Sequence, residues 1–478
     1  MKTLFAMFVT FCLLMVLPCP AFGQNEGRNL EGNWLAALDV GGVKHRLLLK
    51  IQKAAEGYTA KFDSLDQGVT NLPIDSITLN GSKMNFVAVQ FGMNYEGTLN
   101  EKGDEITGTF KQGAGSAPMT FKRTGEIEVR TRAQDPKKPY PYDEENVSYR
   151  NMADNVKLAG TLTLPRNGNT KHPAVILISG SGAQNRDSLI AGHRPFLVLA
   201  DHLTRLGIAV LRVDDRGTGD SELGSLAATS ENFMGDVLAA VAFLKTRADI
   251  NPKQIGLVGH SEGGMIAPMA AARSRDVAFI VMLAGLGQRG EDVIYTQTEL
   301  INRASGMDPE SVAGAVTLTK SIIAVVKAET DEKKIEEGVN AAISKHASAL
   351  NDAQRKAFAP IASSIRAYMP MYKMPWFRYF VTFDPVPTLK NVKVPVLALN
   401  GELDLQVAAK ENLDLIASGL KSGRNKDVTT KAFPKLNHLF QTAKTGLPSE
   451  YQTIEETISP QVLETVSGWI VQRTIGRR

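Results

Sequence analysis

The residues with the means to do covalent chemistry gather at Ser261, in the stretch QIGLVGHSEGGMIAP, residues 254–268. A serine hydroxyl is a poor nucleophile until a histidine takes its proton and an acid fixes that histidine's tautomer. Gly259 and Gly263 flank the serine, an apolar run precedes it and helix formers follow it. That is the pattern of a strand–turn–helix corner tight enough to expose a side chain. The chemistry it suggests is acyl transfer: attack on a carbonyl, an oxyanion held by backbone donors, and an acyl-enzyme cleared by water. The next residue is an acid, Glu262. Its backbone amide is placed to serve the oxyanion. Its carboxylate must point away from the reacting carbonyl or toward a cationic group, although a helix N-terminus favours negative charge in itself.

The partners follow from position. Of seven histidines, His438 in FPKLNHLFQ follows the last expected strand, where a loop can carry an imidazole over a sheet. His45, His172, His193, His202, His260 and His346 fall in an N-terminal β region, ahead of a strand, in the first helix region, inside the corner and in an insertion. The acid is expected after a strand end between serine and histidine, and LNGELDLQV supplies Asp404, with Glu402 as the alternative. A second oxyanion donor, beside the amide of Glu262, is expected from ISGSGAQNRD. Gly182 is the candidate there, with Ser181 and Ala183 as neighbours able to replace it.

These residues need a scaffold. From residue 147, apolar runs such as AVILISG, IAVLRVDD, QIGLVGHS, VAFIVMLAG and VPVLALNG alternate with helical stretches. Buried strands alternating with helices imply an α/β fold with a doubly wound, mostly parallel sheet covered on both faces. Residues 288–388 interrupt that rhythm and are too long for an ordinary βα connection, so they form a helical cap insertion. Their segment YMPMYKMPWFRYF offers Met371, Met374, Trp376 and Phe377 as walls of an apolar substrate pocket, or as plain packing.

Ahead of this domain, residues 28–124 alternate short extended runs with turn signals, as in a small antiparallel β-barrel or sandwich. Residues 125–146, charged and proline-containing, are expected to link the two. The first 23 residues combine Lys2, an apolar run and a small-residue end, the pattern of a secretory signal peptide with cleavage before Gln24. Export to the periplasm or the extracellular space follows as an expectation, as does the absence of any later run long enough to span a membrane.

Both cysteines, Cys12 and Cys19, lie in that segment, so the rest of the chain can form no disulfide and no cysteine–zinc site. A net charge of +4 over 478 residues gives no basis for nucleic-acid binding. GLGQRG, residues 285–290, matches a dinucleotide fingerprint but sits at the wrong strand and leads into the insertion. No metal-spaced cluster appears, and neither metal nor cofactor is expected. Asp214, Asp215 and Arg216 in VDDRGTGDS are expected to brace a loop.

The order Ser261, Asp404, His438 is that of α/β-hydrolases. Together with GHSEGG, the ISGSG loop, VDDRGTGDS, LNGELDLQV, the late NH pair, MPWFRYFVTFDP and an N-terminal β region beginning EGNW, the chain resembles secreted α/β-hydrolases of the esterase and serine-aminopeptidase-like group. The resemblance implies metal-independent hydrolysis of a small-molecule ester or amide through a Ser-His-Asp triad. Ala183 stands where that group commonly has proline, and the group spans esters, amides and thioesters. A carboxylesterase is the leading expectation. A serine peptidase or aminopeptidase of the same fold, and a binding module on a silent hydrolase scaffold, are the alternatives.

Overall fold

The computed structural model describes residues 29–477 apart from 41–42, 67–68, 90–91, 113–114, 126, 128–130 and 167–170; the expected signal peptide lies outside the described residues. The N-terminal region contains β1 (Gly32–Val40), β2 (Val43–Lys53), β3 (Tyr58–Ser64), β4 (Val69–Pro73), β5 (Ser76–Asn80), β6 (Lys83–Ala88), β7 (Met93–Leu99), β8 (Glu105–Gln112) and β9 (Gly115–Thr124). They pair antiparallel in one sheet, ordered β4-β3-β2-β1-β9-β8-β7-β6-β5. The small β domain is therefore a single curled sheet, a half-barrel, and not a two-sheet sandwich. The sequence pattern misses β1, whose Ala36-Ala37 pair carries no β-branched signal, and β4, which ends in Pro73 and has Asn71 in the left-handed region at φ 61°. Its inner face is filled by Trp34, Phe86, Tyr95 and Phe121. The Tyr95 hydroxyl bonds the carbonyls of Ile106 and Met119, so the interior is a packed core.

The connector does not hang free. Buried Arg132 pairs with Glu455 at 3.1 Å and donates to the carbonyls of Ala191 and Gln452, while Gln134 bonds Thr457 and Ile458. Its last residues open strand β10 (Tyr142–Asn151).

Next come β11 (Val156–Pro165), β12 (His172–Ile178), α1 (Pro195–Arg205), β13 (Ala209–Val213), α2 (Ser230–Thr246), β14 (Ile250–His260), α3 (Glu262–Arg273) and β15 (Phe279–Leu283). Helices α4 (Gly290–Ala304), α5 (Pro309–Ala328), α6 (Glu332–Ser348), α7 (Asp352–Ala367), α8 (Met369–Lys373), α9 (Pro375–Thr382) and α10 (Pro385–Asn391) form the insertion. The domain closes with β16 (Val396–Gly401), α11 (Ala409–Ser422), β17 (Val428–Phe433) and α12 (Pro460–Arg473). The sheet order is β10-β11-β13-β12-β14-β15-β16-β17, parallel from β13 to β17 and antiparallel at its first two strands. This is the expected α/β-hydrolase architecture, with the insertion between β15 and β16.

Every residue of β12 and β15 is buried, as strands covered on both faces require. One face packs on α1 and α12 through Phe196, Leu199, Val462 and Trp469. The other packs on α2 and α3, and that core runs on without a break into the cap, to Leu318, Ile335, Phe358 and Phe377. Helix α5 corrects one expectation: at 20 residues and a mean hydropathy of 1.4 it has the length and composition to cross a membrane. Lys320 and Lys327 interrupt it, and Ile322, Ile323 and Val326 are buried in the cap.

Candidate active site

Strand β14 ends at His260 and helix α3 begins at Glu262, leaving Ser261 alone at the corner with φ 55° and ψ −116°, a backbone that L-residues rarely adopt. The corner is as tight as the sequence implies. A Cβ on Gly259 would run into the carbonyl of Gly263, and one on Gly263 would meet the carbonyl oxygens of Ile178 and Ser179, the latter at 2.6 Å. The Ser261 amide is held by the carbonyl of Leu283 on the neighbouring strand at 2.8 Å.

Asp404 and His438 come together from the loops after β16 and β17. His438 Nδ1 lies 2.8 Å from Asp404 Oδ2, and both residues are buried. The other carboxylate oxygen, Oδ1, accepts the amides of Gln406 and Val407 at 2.8 Å each. With the acid locked, Nδ1 is the ring nitrogen that meets the carboxylate, and Nε2 has no partner among the described residues. Glu402, the alternative acid, makes no bond to His438 among the described residues.

The histidine beside the nucleophile has a task that sequence reasoning missed. His260 Nε2 donates to the backbone carbonyl of His438 at 2.9 Å, and the two rings lie 4.8 Å apart. Burial, with the neighbouring His438 adding to it, pushes His260 down to about 3. It is a neutral strut between corner and base loop. Its only sequence signal was adjacency to Ser261.

Gly182 sits at φ 90°, a conformation that glycine adopts without strain. Its loop reaches the corner at Gly180, where a Cβ would stand 3.2 Å from Ser261 Cβ. Among the described residues, the amides of Glu262, Gly182 and Ala183 donate to no protein acceptor. Backbone donors left free near a serine are what an oxyanion requires.

The Glu262 carboxylate has turned away. It is 2 % exposed, and its Oε1 accepts Ser230 Oγ of α2 at 2.6 Å and Trp376 Nε1 of the cap at 2.8 Å; Ser181 bonds it as well. Burial raises its pKa, and these three donors partly offset the rise. No cation pairs with it among the described residues. One side chain thus ties together the corner, the glycine loop, α2 and the cap. A second acid, half-buried, stands close by: Asp215 takes Ser179 Oγ on both oxygens, at 2.7 and 2.8 Å, and the Gln184 amide at 2.9 Å. Burial pushes it up to about 7, against those bonds and with the charges of Glu262 and Asp214 adding to the rise. Asp214 binds Arg186, and Arg216 binds Asp154 and Asp236, so this part of VDDRGTGDS braces the loop.

Beside the corner lies a cavity of about 550 Å³. Met371, Met374 and Trp376 line it, as the sequence suggests, but Phe377 does not. Neighbours on a helix point about 100° apart, so α9 cannot turn both Trp376 and Phe377 to one side. Phe377 is buried against Tyr372 instead, with ring centroids 5.7 Å apart. Most of the wall comes from places the sequence did not single out, among them Tyr149, Phe233 and Val237.

Residues 154–420 match the model of the X-Pro dipeptidyl-peptidase (S15) family, a span that holds Ser261 and Asp404 and stops short of His438. The chain is 26 % identical to Esterase EstD of Thermotoga maritima over 368 residues, 76 % of this chain and 78 % of that protein. It is 27 % identical to Thiohydrolase aneE of Aspergillus aculeatus over 192 residues, 38 % of this chain and 57 % of that one. Among solved structures, the Pyrococcus furiosus esterase Pf2001 is similar at 17 % identity and a TM-score of 0.41, covering 73 % of this chain and all of that one. Est1E from Butyrivibrio proteoclasticus is similar at 17 % identity and a TM-score of 0.37, over 69 % and 98 %.

Proposed function

The chain belongs to the X-Pro dipeptidyl-peptidase (S15) family of hydrolases, and from that premise we propose that it is a serine carboxylesterase with Ser261, His438 and Asp404 as its triad. The observation that carries the ester reading is the character of the site. The acids at its wall are already engaged: Glu262 and Asp215 by hydrogen bonds, Asp214 and Asp236 by arginines. An aminopeptidase or dipeptidyl-peptidase needs an anionic group free to take the substrate ammonium, and among the described residues lining the cavity every carboxylate already holds a hydrogen-bond donor or an arginine.

In this reading His438 Nε2 takes the proton of Ser261 Oγ as the oxygen attacks the ester carbonyl. The oxyanion settles between the amides of Glu262 and Gly182. Collapse breaks the bond to the alkoxy oxygen, which leaves as the alcohol with the proton from His438. Water, deprotonated by the same imidazole, then attacks the acyl-enzyme, and the acid leaves as Ser261 regains its proton. Ser261 Oγ and His438 share no hydrogen bond among the described residues, and catalytic bonds of this kind commonly form only when substrate tightens a site.

The family match favours one second reading, cleavage of an amide beside proline. The two are separated by a short-chain nitrophenyl ester and an aminoacyl-prolyl anilide assayed side by side, with fluorophosphonate labelling mapped to its residue. Ester turnover with label on Ser261, both lost in Ser261→Ala, is expected. Turnover of the anilide alone sinks the esterase reading, and label on another residue sinks the triad.

A further inference from the structure

The cavity beside the corner has a direction. Its lining holds Leu223, Leu226 and Met374, which are 41, 58 and 41 % exposed although apolar, together with Leu158, Ile176 and Ala240, which are at most 1 % exposed. Apolar side chains left in water around an opening need a reason, and a binding mouth is the ordinary one. The volume of about 550 Å³ is that of a site which encloses a small molecule.

Its position says which part of an ester enters it. The lining includes Gly180, Ser181, Gly182 and Glu262, so it opens beside the place where the carbonyl oxygen is held. It includes nothing from the loops of Asp404 and His438. The leaving alcohol must stay within reach of His438, which protonates it. The substituent that turns away from His438 is the acyl group.

We propose that the cavity is an acyl pocket for an extended apolar chain, entering between Leu226 and Met374 and running under Trp376 to a floor at Ala240 on α2. The proposal rests on the esterase reading and deepens it by naming the substrate class: esters of medium-chain carboxylic acids. The bonded or ion-paired state of Asp214, Asp215, Arg216 and Glu262 suits such a chain, because each of these polar groups already holds a protein partner when the chain enters.

The test is a series of nitrophenyl esters from acetate to laurate, run on the wild type, on Ala240→Phe, which fills the floor, and on Leu226→Asp, which charges the exposed rim and leaves the core alone. In the wild type kcat/KM should rise several-fold for each added pair of methylenes until the pocket is full. Ala240→Phe should lower the octanoate-to-acetate ratio of kcat/KM at least ten-fold, and Leu226→Asp should lower it several-fold, so a poorly folded floor variant does not leave the rim untried. Ester turnover with no preference for longer chains, or with a ratio that neither variant moves, overturns the acyl pocket while leaving the esterase standing. Absence of turnover at every chain length overturns both.

Discussion

Glu262 is the residue whose sequence position raised a contradiction, an acid next to a developing oxyanion, and its hydrogen bonds resolve it. The carboxylate is spent on Ser230, Trp376 and Ser181, which leaves the amide free for the oxyanion of the proposed mechanism. Glu262→Gln keeps an acceptor for Trp376 and Ser230 and should leave ester turnover within about three-fold. Glu262→Ala strands buried donors, which typically costs about 1–3 kcal/mol. It should lower the midpoint of chemical denaturation and, through the freed Ser181 loop, kcat more than KM; equal behaviour of the two variants would refute the tie. Asp215 adds a pH dependence. Its folded pKa of about 7 lies above the ~3.9 of an unfolded aspartate, so in that window the folded state keeps a proton the unfolded state has lost. Stability should fall as pH rises from about 4 to about 7. Asp215→Asn, which mimics the protonated acid, should flatten that part of a urea-midpoint profile from pH 4 to 8; an unchanged slope assigns it to other groups.

At the scale of elements, the site is a set of strand ends brought to one edge, and close backbone approach is what joins them. Gly263→Ala drives a Cβ into two carbonyls of β12 and its following loop, so it should unfold the corner, with a fall of several degrees in Tm and no fluorophosphonate labelling. Gly180→Ala meets Ser261 Cβ only at 3.2 Å and should keep the Tm within a degree or two while slowing labelling roughly ten-fold. The reverse order of severity would show that the loop, and not the corner, sets the geometry. The corner, the late acid and the late histidine were legible in the sequence because each sits in a short stretch with its own strand-end signal. The cavity was not. Its walls come from Tyr149 and Leu158 on the β10–β11 hairpin and from Phe233 and Ala240 on α2, well further along the chain, and no local pattern marks a side chain that meets others only after folding. Trp376 and Phe377 looked alike in the sequence for the same reason, since only the phase of α9 separates them. The strut at His260 depends on a carbonyl 178 residues away.

At the scale of the molecule, a half-barrel with its own aromatic core is fastened to a hydrolase by its connector. Arg132 is the fastening, buried between the carbonyls of Ala191 and Gln452 with Glu455 across from it, and the backbone carbonyl of Asp66 in the β domain accepts the amide of Ala191. Arg132→Ala should split thermal unfolding into two calorimetric transitions, the β domain first, with ester turnover retained until the second; a single shifted transition would mean that the domains melt together by other contacts. The unbroken core from sheet to cap has its own consequence. Lifting the cap would bare the part of that core it covers, so in the acyl-pocket reading the low-cost way in for a substrate is the opening at Leu226 and Met374, and selection falls to what fits through it.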